Sequence, residues 1–141
     1  MFTLTCRKMV KKDLSRSEKE WKKLLKLEVY QILRKKHTEP SFTGKYLNYK
    51  KDGIYVCAGC GNPLISSENK FDSGSGWPSF WDVISKGSVE LKPDYGFGMK
   101  RIEVVCSRCG GHLGHVFDDG PQPTGKRYCI NSLSLNFKEK K

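Results

Sequence analysis

Apolar residues recur at helical spacing near the start of the chain. Ser17 followed three residues later by Glu20 has the form of a capping box, the arrangement that begins many helices. The apolar stripe behind it, with lysines between its members, consists of Trp21, Leu24, Leu25, Val29, Ile32 and Leu33. This spacing predicts one helix, or two short helices in line, from about 18 to 36, with the stripe packed in the core.

From residue 41 onward the pattern changes to short runs of β-branched and aromatic residues between turn residues. These runs lie at 54–56, 102–105, 115–117 and 128–137. In the last run Leu133, Leu135 and Phe137 alternate with polar residues, which predicts a strand with one buried face. Residues 41–141 are therefore predicted to form an antiparallel β-domain, with the helical segment packed beside it.

The positive charge is concentrated at one end of the chain. The 141 residues are enough for one domain with its own core, and the net charge is +11. Residues 1–51 hold 15 Lys and Arg against 5 Asp and Glu, which leaves a nearly neutral remainder. The excess favours either a solvated helix face or an acidic partner such as nucleic acid, and the solvated face is the simpler interpretation. We divide the chain into a basic N-terminal arm, 1–16, and a single domain, 17–141, that is helical over 18–37.

Segments that direct a chain to or across a membrane are not predicted. Lys8, Lys11, Lys12 and Arg16 interrupt the N-terminal region, so it does not resemble a signal peptide. No stretch approaches the roughly 20 apolar residues that a membrane helix needs. We therefore expect a cytoplasmic protein without membrane association, with its thiols reduced or bound to a metal.

Four of the six cysteines form two pairs of equal spacing. Cys57 and Cys60 form one pair and Cys106 and Cys109 the other, with glycine after each second cysteine. Two such pairs predict one structural Zn²⁺ in a closed tetrahedral site of four thiolates, where no position remains for a water ligand. The alternatives are two redox-active pairs, or iron in the same site.

The fifth cysteine, Cys129, lies apart from these pairs and needs its own explanation. An unpaired thiol in an apolar, extended segment, with histidines upstream, is a candidate nucleophile. His112 and His115 lack the glutamate of a metalloprotease helix, so they do not form that motif. The alternatives are extra metal ligands, plain hydrogen-bonding groups or acid–base work beside Cys129, and the last is favoured because four cysteines already complete a tetrahedral site. The segment around Trp77, with Gly76 before it and Pro78 after it, predicts a rigid loop that presents the indole.

Taken together, four segments resemble the B-type peptide-methionine (R)-S-oxide reductases in their zinc-containing form. They follow the family's order, and the similarity runs from about 17 to 137. No one of them would be specific alone. The segments are Tyr55-Val56-Cys57-Ala58-Gly59-Cys60-Gly61, Phe71-Asp72-Ser73-Gly74-Ser75-Gly76-Trp77-Pro78-Ser79-Phe80, Gly111-His112-Leu113-Gly114-His115-Val116-Phe117 and Arg127-Tyr128-Cys129-Ile130-Asn131-Ser132.

The resemblance implies a mainly β fold of two antiparallel sheets with N-terminal helices, and a catalytic domain over 17–141. It also implies reduction of methionine-R-sulfoxide in oxidised proteins, with recycling by thioredoxin or another thiol. The family's nucleophile falls on Cys129, its acid–base and orienting histidines on His112 and His115, and a nearby polar group on Asn131. The tryptophan that contacts the substrate methyl falls on Trp77. Zinc would be held by the two cysteine pairs.

The chemistry of sulfoxide reduction agrees with these positions. A thiolate that attacks the sulfur needs an acid on the oxygen side, and a histidine can supply the proton near neutral pH. We expect Arg127 and a protonated histidine to lower the pKa of Cys129. Attack would leave a sulfenic acid on that cysteine.

One position departs from the family pattern. Many relatives carry a resolving cysteine two residues before the tryptophan, where this chain has Ser75. Either Cys6 resolves the sulfenic acid from the N-terminal arm, or an external thiol reduces it directly. About eleven residues separate Cys6 from the capping box, a reach of up to roughly 35 Å if extended.

Two other functions compete with this hypothesis. A zinc-ribbon module with a basic arm for nucleic acid would explain the four paired cysteines and the charge, but not Cys129, the histidines or the tryptophan loop. A reductase of free methionine sulfoxide would use the same site on a smaller substrate. We predict the protein-repair enzyme, acting as a monomer with no nucleic-acid partner.

Overall fold

The computed structural model of the protein describes residues 17–139. The basic arm and Cys6 therefore lie outside the described residues. Two helices come first, α1 (Glu18–Leu24) and α2 (Leu27–Lys35). The strands that follow are β1 (Gly53–Cys57), β2 (Pro63–Ser66), β3 (Lys70–Phe71), β4 (Ser79–Phe80), β5 (Val89–Asp94), β6 (Arg101–Cys106), β7 (His112–Phe117), β8 (Arg127–Ile130) and β9 (Leu135–Glu139).

The helical prediction is confirmed as two short helices. The Ser17 hydroxyl accepts from the Glu20 amide at 3.2 Å, and the Glu20 carboxylate accepts from the Ser17 amide at 3.0 Å, so the capping box is complete. Trp21 and Leu33 are buried, as the apolar stripe predicts. Leu24 is wrong as a packing residue, because it is 61% exposed. Helix α1 ends there, and the extended backbone of Leu25 breaks the periodicity on which the stripe was counted.

Within residues 17–139 all strand pairs are antiparallel, and the strands form two sheets. The smaller sheet has the order β2-β1-β9 and the larger has the order β3-β4-β8-β7-β6-β5. The predicted fold class, two antiparallel sheets with N-terminal helices, is confirmed. Strand β8 lies inside the larger sheet, between β4 and β7, and this position brings the tryptophan loop and the two histidines close to Cys129.

The run 128–137 is not one strand, which corrects the prediction from its alternating pattern. A 3-10 turn over Ser132–Ser134 separates β8 from β9, and the two strands belong to different sheets. The polar residues of the turn are the buried ones, because each of their hydroxyls has a backbone partner. Ser132 accepts from the Tyr46 amide at 3.2 Å, and Ser134 donates to the His112 carbonyl at 2.9 Å.

One hydrophobic cluster contains residues of the helices and of both sheets. An aromatic group around Tyr55, with Tyr46, Phe80 and Phe137, fills the space between the sheets, with ring centroids 4.9–5.3 Å from that of Tyr55. The contacts of Tyr55 with Tyr46 and Phe80 are edge-to-face, an arrangement that stabilises a core beyond the burial of its area. Among residues 17–139, no helix is long and apolar enough to cross a membrane.

Candidate active site and metal centre

Cys129 and His115 face each other on adjacent strands. The register of β7 and β8 pairs them directly, and the next pair is Gly114 with Ile130. A side chain at Gly114 would place its Cβ 1.9 Å from the carbonyl oxygen of Cys129, so only glycine lets the strands approach this closely. The glycine between the two histidines of the motif thus has a structural reason, which the sequence alone does not disclose.

The side chain of Cys129 opens onto a cavity of about 280 Å³. The thiol is half-buried, so it is both accessible and partly shielded from water. Strand β4 lies on the other side of β8 and carries the end of the tryptophan loop to the same place, with Ser79 paired to Cys129. The residues around the cavity include Ser75 and five of the predicted site residues: Trp77, His115, Arg127, Cys129 and Asn131.

Trp77 forms one wall of this cavity and is held by its ring nitrogen. The indole Nε1 donates to the Glu39 carbonyl oxygen at 2.9 Å. Gly76 has a φ of 94°, a left-handed conformation that other residues rarely adopt, and its carbonyl accepts from the Phe42 amide at 2.7 Å. The rigid loop predicted around Trp77 is consistent with these two anchors, both of which come from the segment after α2.

Asn131 lines the cavity but directs its amide group into the protein. Its Oδ1 accepts from the Glu39 amide at 3.0 Å, and its Nδ2 donates to the Leu113 carbonyl at 3.1 Å. The residue is 3% exposed. Asn131 therefore ties the segment that holds Trp77 to the strand that carries the histidines, and it fixes the backbone two residues after Cys129.

Each histidine has a carboxylate partner that the sequence analysis missed. The Nδ1 atom of His112 lies 2.7 Å from Oε2 of Glu103, and the Nε2 atom of His115 lies 2.8 Å from Oδ2 of Asp94. Because an ionised carboxylate only accepts hydrogen bonds, the ring nitrogens act as donors. Glu103 could have been noticed in the sequence, because it is an acid inside the apolar run 102–105. Its pairing with His112 on another strand has no signal in the local sequence.

The two histidines differ in their surroundings. His112 is 2% exposed and does not line the cavity, whereas His115 does. Burial lowers the pKa of His112 in spite of its contact with Glu103, so the ring is neutral near pH 7. The hydrogen bond from His115 and that from the Gly96 amide hold the pKa of Asp94 well below its usual range, so that carboxylate is ionised.

The expectation of a lowered pKa for the Cys129 thiol is wrong for the free protein. Burial raises the pKa of Cys129, and this effect exceeds the opposing charge of Arg127 and the hydrogen bond from Ser75. Arg127 is held by Asp119, with Nε donating to Oδ1 at 2.9 Å, and its guanidinium carbon lies 4.4 Å from the centroid of the Phe117 ring. The arginine acts in the expected direction, but desolvation of the thiol is the larger effect.

Ser75 is next to the nucleophile and belongs to a group of hydroxyls. Its Oγ accepts from Ser73 at 2.8 Å, and the Ser73 Oγ lies 2.7 Å from that of Ser79. Because Ser75 accepts the hydrogen bond from Ser73, its own hydroxyl hydrogen is available to bond the sulfur of Cys129. Ser75 is thus adjacent to the candidate nucleophile, but its hydroxyl cannot form a disulfide.

The four paired cysteines lie together in one cluster, and Cys129 is not a member of it. Their sulfurs are all within 4.8 Å of one another, with Cys57 and Cys109 at 3.7 Å and Cys60 and Cys106 at 3.5 Å. A tetrahedron of thiolates with metal–sulfur bonds near 2.3 Å has sulfur–sulfur edges of about 3.8 Å. The quartet therefore fits a metal ion with little rearrangement.

The glycines that follow the two pairs and a glycine within the first pair have different roles at the quartet. Gly61 and Gly110 have φ values of 80° and 75°, and their amides donate to the carbonyls of the first cysteine of each pair. The amide that reaches a sulfur is that of Gly59, which lies 3.4 Å from Sγ of Cys57. The glycines after the pairs therefore close the turns that present the thiols.

Comparison with known proteins adds a family to this geometry. The family model of the SelR domain matches residues 25–139. The chain is 62% identical over 130 residues to the peptide methionine sulfoxide reductase MsrB of Methanosarcina barkeri, and 58% identical over 129 residues to the protein of that name from Methanosarcina mazei; each alignment covers 92% of both chains. It is 56% identical over 121 residues to the mitochondrial methionine-R-sulfoxide reductase B3 of Mus musculus, which covers 86% of this chain and 48% of that protein.

Proposed function

The chain belongs to the SelR-domain family, and on that premise we propose that it is a peptide-methionine (R)-S-oxide reductase in which Cys129 is the nucleophile. The observation that carries the residue assignment is the cavity in which Cys129, His115 and Trp77 meet. Cys129 is separate from the quartet, so its thiol remains available for chemistry.

The reaction moves one oxygen atom from methionine to the enzyme. The thiolate of Cys129 attacks the sulfoxide sulfur, while an acid protonates the oxygen. The new bond to sulfur weakens the bond between sulfur and oxygen, and the hydroxyl passes to Cys129 as methionine leaves. Methionine sulfoxide is thereby reduced, and the cysteine is oxidised to a sulfenic acid. His115, which lines the cavity, and His112 behind it are the candidate acid–base groups.

Selection of one sulfur configuration needs two different walls. The indole of Trp77, fixed by its bond to Glu39, offers an apolar face for the ε-methyl group. The side of His115 and Arg127 offers polar and charged groups for the sulfoxide oxygen. Only one epimer places its methyl and its oxygen on these sides while its sulfur faces the thiolate. Arg127 would contribute to substrate binding through its charge.

We expect the enzyme to reduce the R epimer of a blocked methionine sulfoxide and to reduce the S epimer at least about 100-fold more slowly, because the S form would direct its oxygen at the indole. Turnover of both pure epimers, followed by chiral separation of the remaining sulfoxide, measures this ratio. Equal rates, or reduction of neither form, would contradict the proposed function. The same assay with free methionine sulfoxide tests the narrower alternative substrate.

Recycling of the sulfenic acid requires a thiol, since Ser75 cannot supply one. In one route Cys6 condenses with the sulfenic acid, which forms a disulfide and releases water; thioredoxin or an equivalent reductant then reduces that disulfide. In the other route an external thiol attacks Cys129 directly and gives a mixed disulfide, and a second thiol then releases the reduced enzyme.

A single turnover distinguishes these routes. If Cys6 is the resolving residue, one equivalent of sulfoxide without added thiol should convert most of the protein to a Cys6–Cys129 disulfide, found by mass spectrometry of the digested chain. The Cys6→Ser variant should instead stop at the sulfenic acid, which a sulfenic-acid reagent traps. A persistent sulfenic acid in both proteins would assign recycling to an external thiol.

For the quartet we propose one structural Zn²⁺, held by Cys57, Cys60, Cys106 and Cys109. When bound, the ion would link the end of β1 in the smaller sheet to the end of β6 in the larger one. Four thiolates complete a tetrahedral site, so the ion would not bind substrate. The buried thiols and the nearby donors from Gly59 and Asn62 suit an anionic thiolate site.

Other aspects of the hypothesis remain proposals. The zinc-ribbon alternative would require tight, salt-sensitive nucleic-acid binding without sulfoxide reduction. It gives no role to the cavity at Cys129.

We propose oxidised proteins as the substrates, a monomer as the active form, the cytoplasm as the location, and no binding to membranes or nucleic acid.

A further inference from the structure

A single lysine connects the two carboxylates that hold the histidines. The Nζ atom of Lys36 lies 3.3 Å from Oε1 of Glu103 and 3.4 Å from Oδ1 of Asp94. Each carboxylate uses its other oxygen for its own histidine, Glu103 for His112 and Asp94 for His115. The five groups form one chain of contacts, from one histidine through the shared lysine to the other.

This arrangement is unusual in its burial and in its backbone. The side chains of Asp94 and Glu103 are 8% and 10% exposed, and buried carboxylates are destabilising unless they are paired. Lys36 follows helix α2 with a φ of 62°, a left-handed conformation that is uncommon for a residue with a side chain. The backbone therefore adopts a costly conformation at the residue whose ammonium group reaches both acids.

We propose that Lys36, Asp94 and Glu103 are positioning residues for sulfoxide reduction, which set the orientation and the tautomers of both histidines. The proposal rests on the proposed function of Cys129 and its cavity. Glu103 fixes the hydrogen of His112 on Nδ1, and Asp94 fixes that of His115 on Nε2. Lys36 holds the two carboxylates at a constant separation, and with them the two rings, whose centroids are 5.4 Å apart.

The tautomers have a consequence for the path of the proton. With Nε2 of His115 bonded to Asp94, the atom of that ring left for proton exchange is Nδ1. In His112 the hydrogen on Nδ1 leaves a lone pair on Nε2, which is buried and has no partner among the described residues. A neutral His112 therefore presents an unused acceptor beside its neighbour, and it keeps this acceptor only while the ring stays unprotonated.

Charged and titratable groups reach the histidines from several elements. Strand β5 contributes Asp94, and β6 contributes Glu103 and Arg101, whose Nη2 lies 3.5 Å from Asp94. The end of α2 contributes Lys36, and β8 contributes Cys129 and Arg127. Lys36 lies among the groups that lower the pKa values of Asp94 and His112. Removal of the Lys36 charge should therefore raise the pKa values of Asp94 and His112.

The Lys36→Met variant tests the proposal, with Lys35→Met as its matched control. Lys35 is the preceding residue and pairs with the exposed Glu18. We expect Lys36→Met to lower the rate constant of the first turnover about ten-fold or more, since misoriented catalytic groups are much less effective, with KM changed less than about two-fold. Lys35→Met should leave both unchanged.

A pH profile separates positioning from a merely structural role. If the reaction needs neutral His112, the raised pKa of His112 in Lys36→Met keeps the ring protonated to higher pH. The acid limb of the pH profile should therefore move toward higher pH. We expect the limb to move toward higher pH by an amount that is limited by the partial exposure of the Lys36 side chain. Lys36→Arg, which keeps the charge, should restore the wild-type limb.

Histidine tautomers give a readout that does not depend on activity. Nitrogen-15 spectra of the wild-type protein should show the hydrogen of neutral His112 on Nδ1, and Glu103→Gln should weaken this preference. An unchanged profile and unchanged rate in Lys36→Met, or a His112 tautomer that carries its hydrogen on Nε2, would overturn the proposal. Failure of the wild-type protein to reduce sulfoxide would instead overturn the proposed function, whatever the tautomers.

Discussion

Replacement of Cys129 by serine is expected to abolish sulfoxide reduction, with a loss of at least about 10⁴-fold, as for removal of other enzymatic nucleophiles. The thiolate both attacks the sulfoxide and accepts its oxygen, and a serine hydroxyl is neither ionised near pH 7 nor able to form a sulfenic acid. Reduction of the R epimer under single-turnover conditions, by product analysis, measures the loss. No other described residue offers a thiol in this cavity.

Two further results would show that the loss of activity comes from the missing nucleophile and not from a damaged fold. Serine is close to cysteine in size and Cys129 is only half-buried, so the variant should keep its fold and its thermal stability. Wild-type protein treated with one equivalent of sulfoxide should lose the free Cys129 thiol before any thiol is added, either as a sulfenic acid or as a disulfide with Cys6. Residual turnover at the wild-type rate in a folded Cys129→Ser protein would end the assignment of the nucleophile.

Much of the fold follows from local sequence signals that the structure confirms. The capping box at Ser17 depends on residues three apart, and the strand at 102–105 depends on a local apolar run. Each half of the cysteine quartet also follows from spacing, since each pair lies within a single turn. These features need few contacts between distant parts of the chain, and for that reason a sequence pattern is sufficient to predict them.

The errors arise where distant contacts decide the outcome. Ser132 and Ser134 are buried because backbone partners elsewhere in the chain satisfy their hydroxyls, so an alternating pattern misassigned the face and missed the turn. The sign of the pKa shift of Cys129 depends on how deeply the thiol is buried. Lys36 joins Asp94 and Glu103 across three elements, and no local spacing contains that information.

The candidate site shows the same division. Cys129, His115 and Trp77 could be selected from motifs, and the cavity brings them together. Asn131 could also be selected, but its contacts point to a different role. Both ends of its amide group bind the backbone, which favours support of the site over contact with the substrate. A motif therefore indicates that a residue matters, whereas the contacts indicate what it does.

Removal of the metal is expected to destabilise the protein far more than loss of the nucleophile. We expect Cys106→Ser, or treatment with a strong chelator, to release one Zn²⁺ and to lower the melting temperature by at least about 15 °C, because structural zinc sites contribute several kcal/mol or more to folding. Cys57 ends β1 and Cys106 ends β6, so the ion would join the two sheets at their ends. Elemental analysis and thermal unfolding measure the two effects.

The Cys129→Ser variant is the matched control, since it makes the same chemical change outside the quartet. It should keep its zinc and its melting temperature while it loses activity, whereas Cys106→Ser should lose its zinc and its stability. A hydroxyl at position 106 remains protonated and would leave three thiolates that cannot close the tetrahedron. Equal zinc content in the two variants, or protein purified without chelator that holds no zinc, would contradict a structural role for the quartet. Loss of zinc and stability in Cys106→Ser, together with loss of activity alone in Cys129→Ser, would show that the four paired thiols support the fold and that a separate thiol does the chemistry.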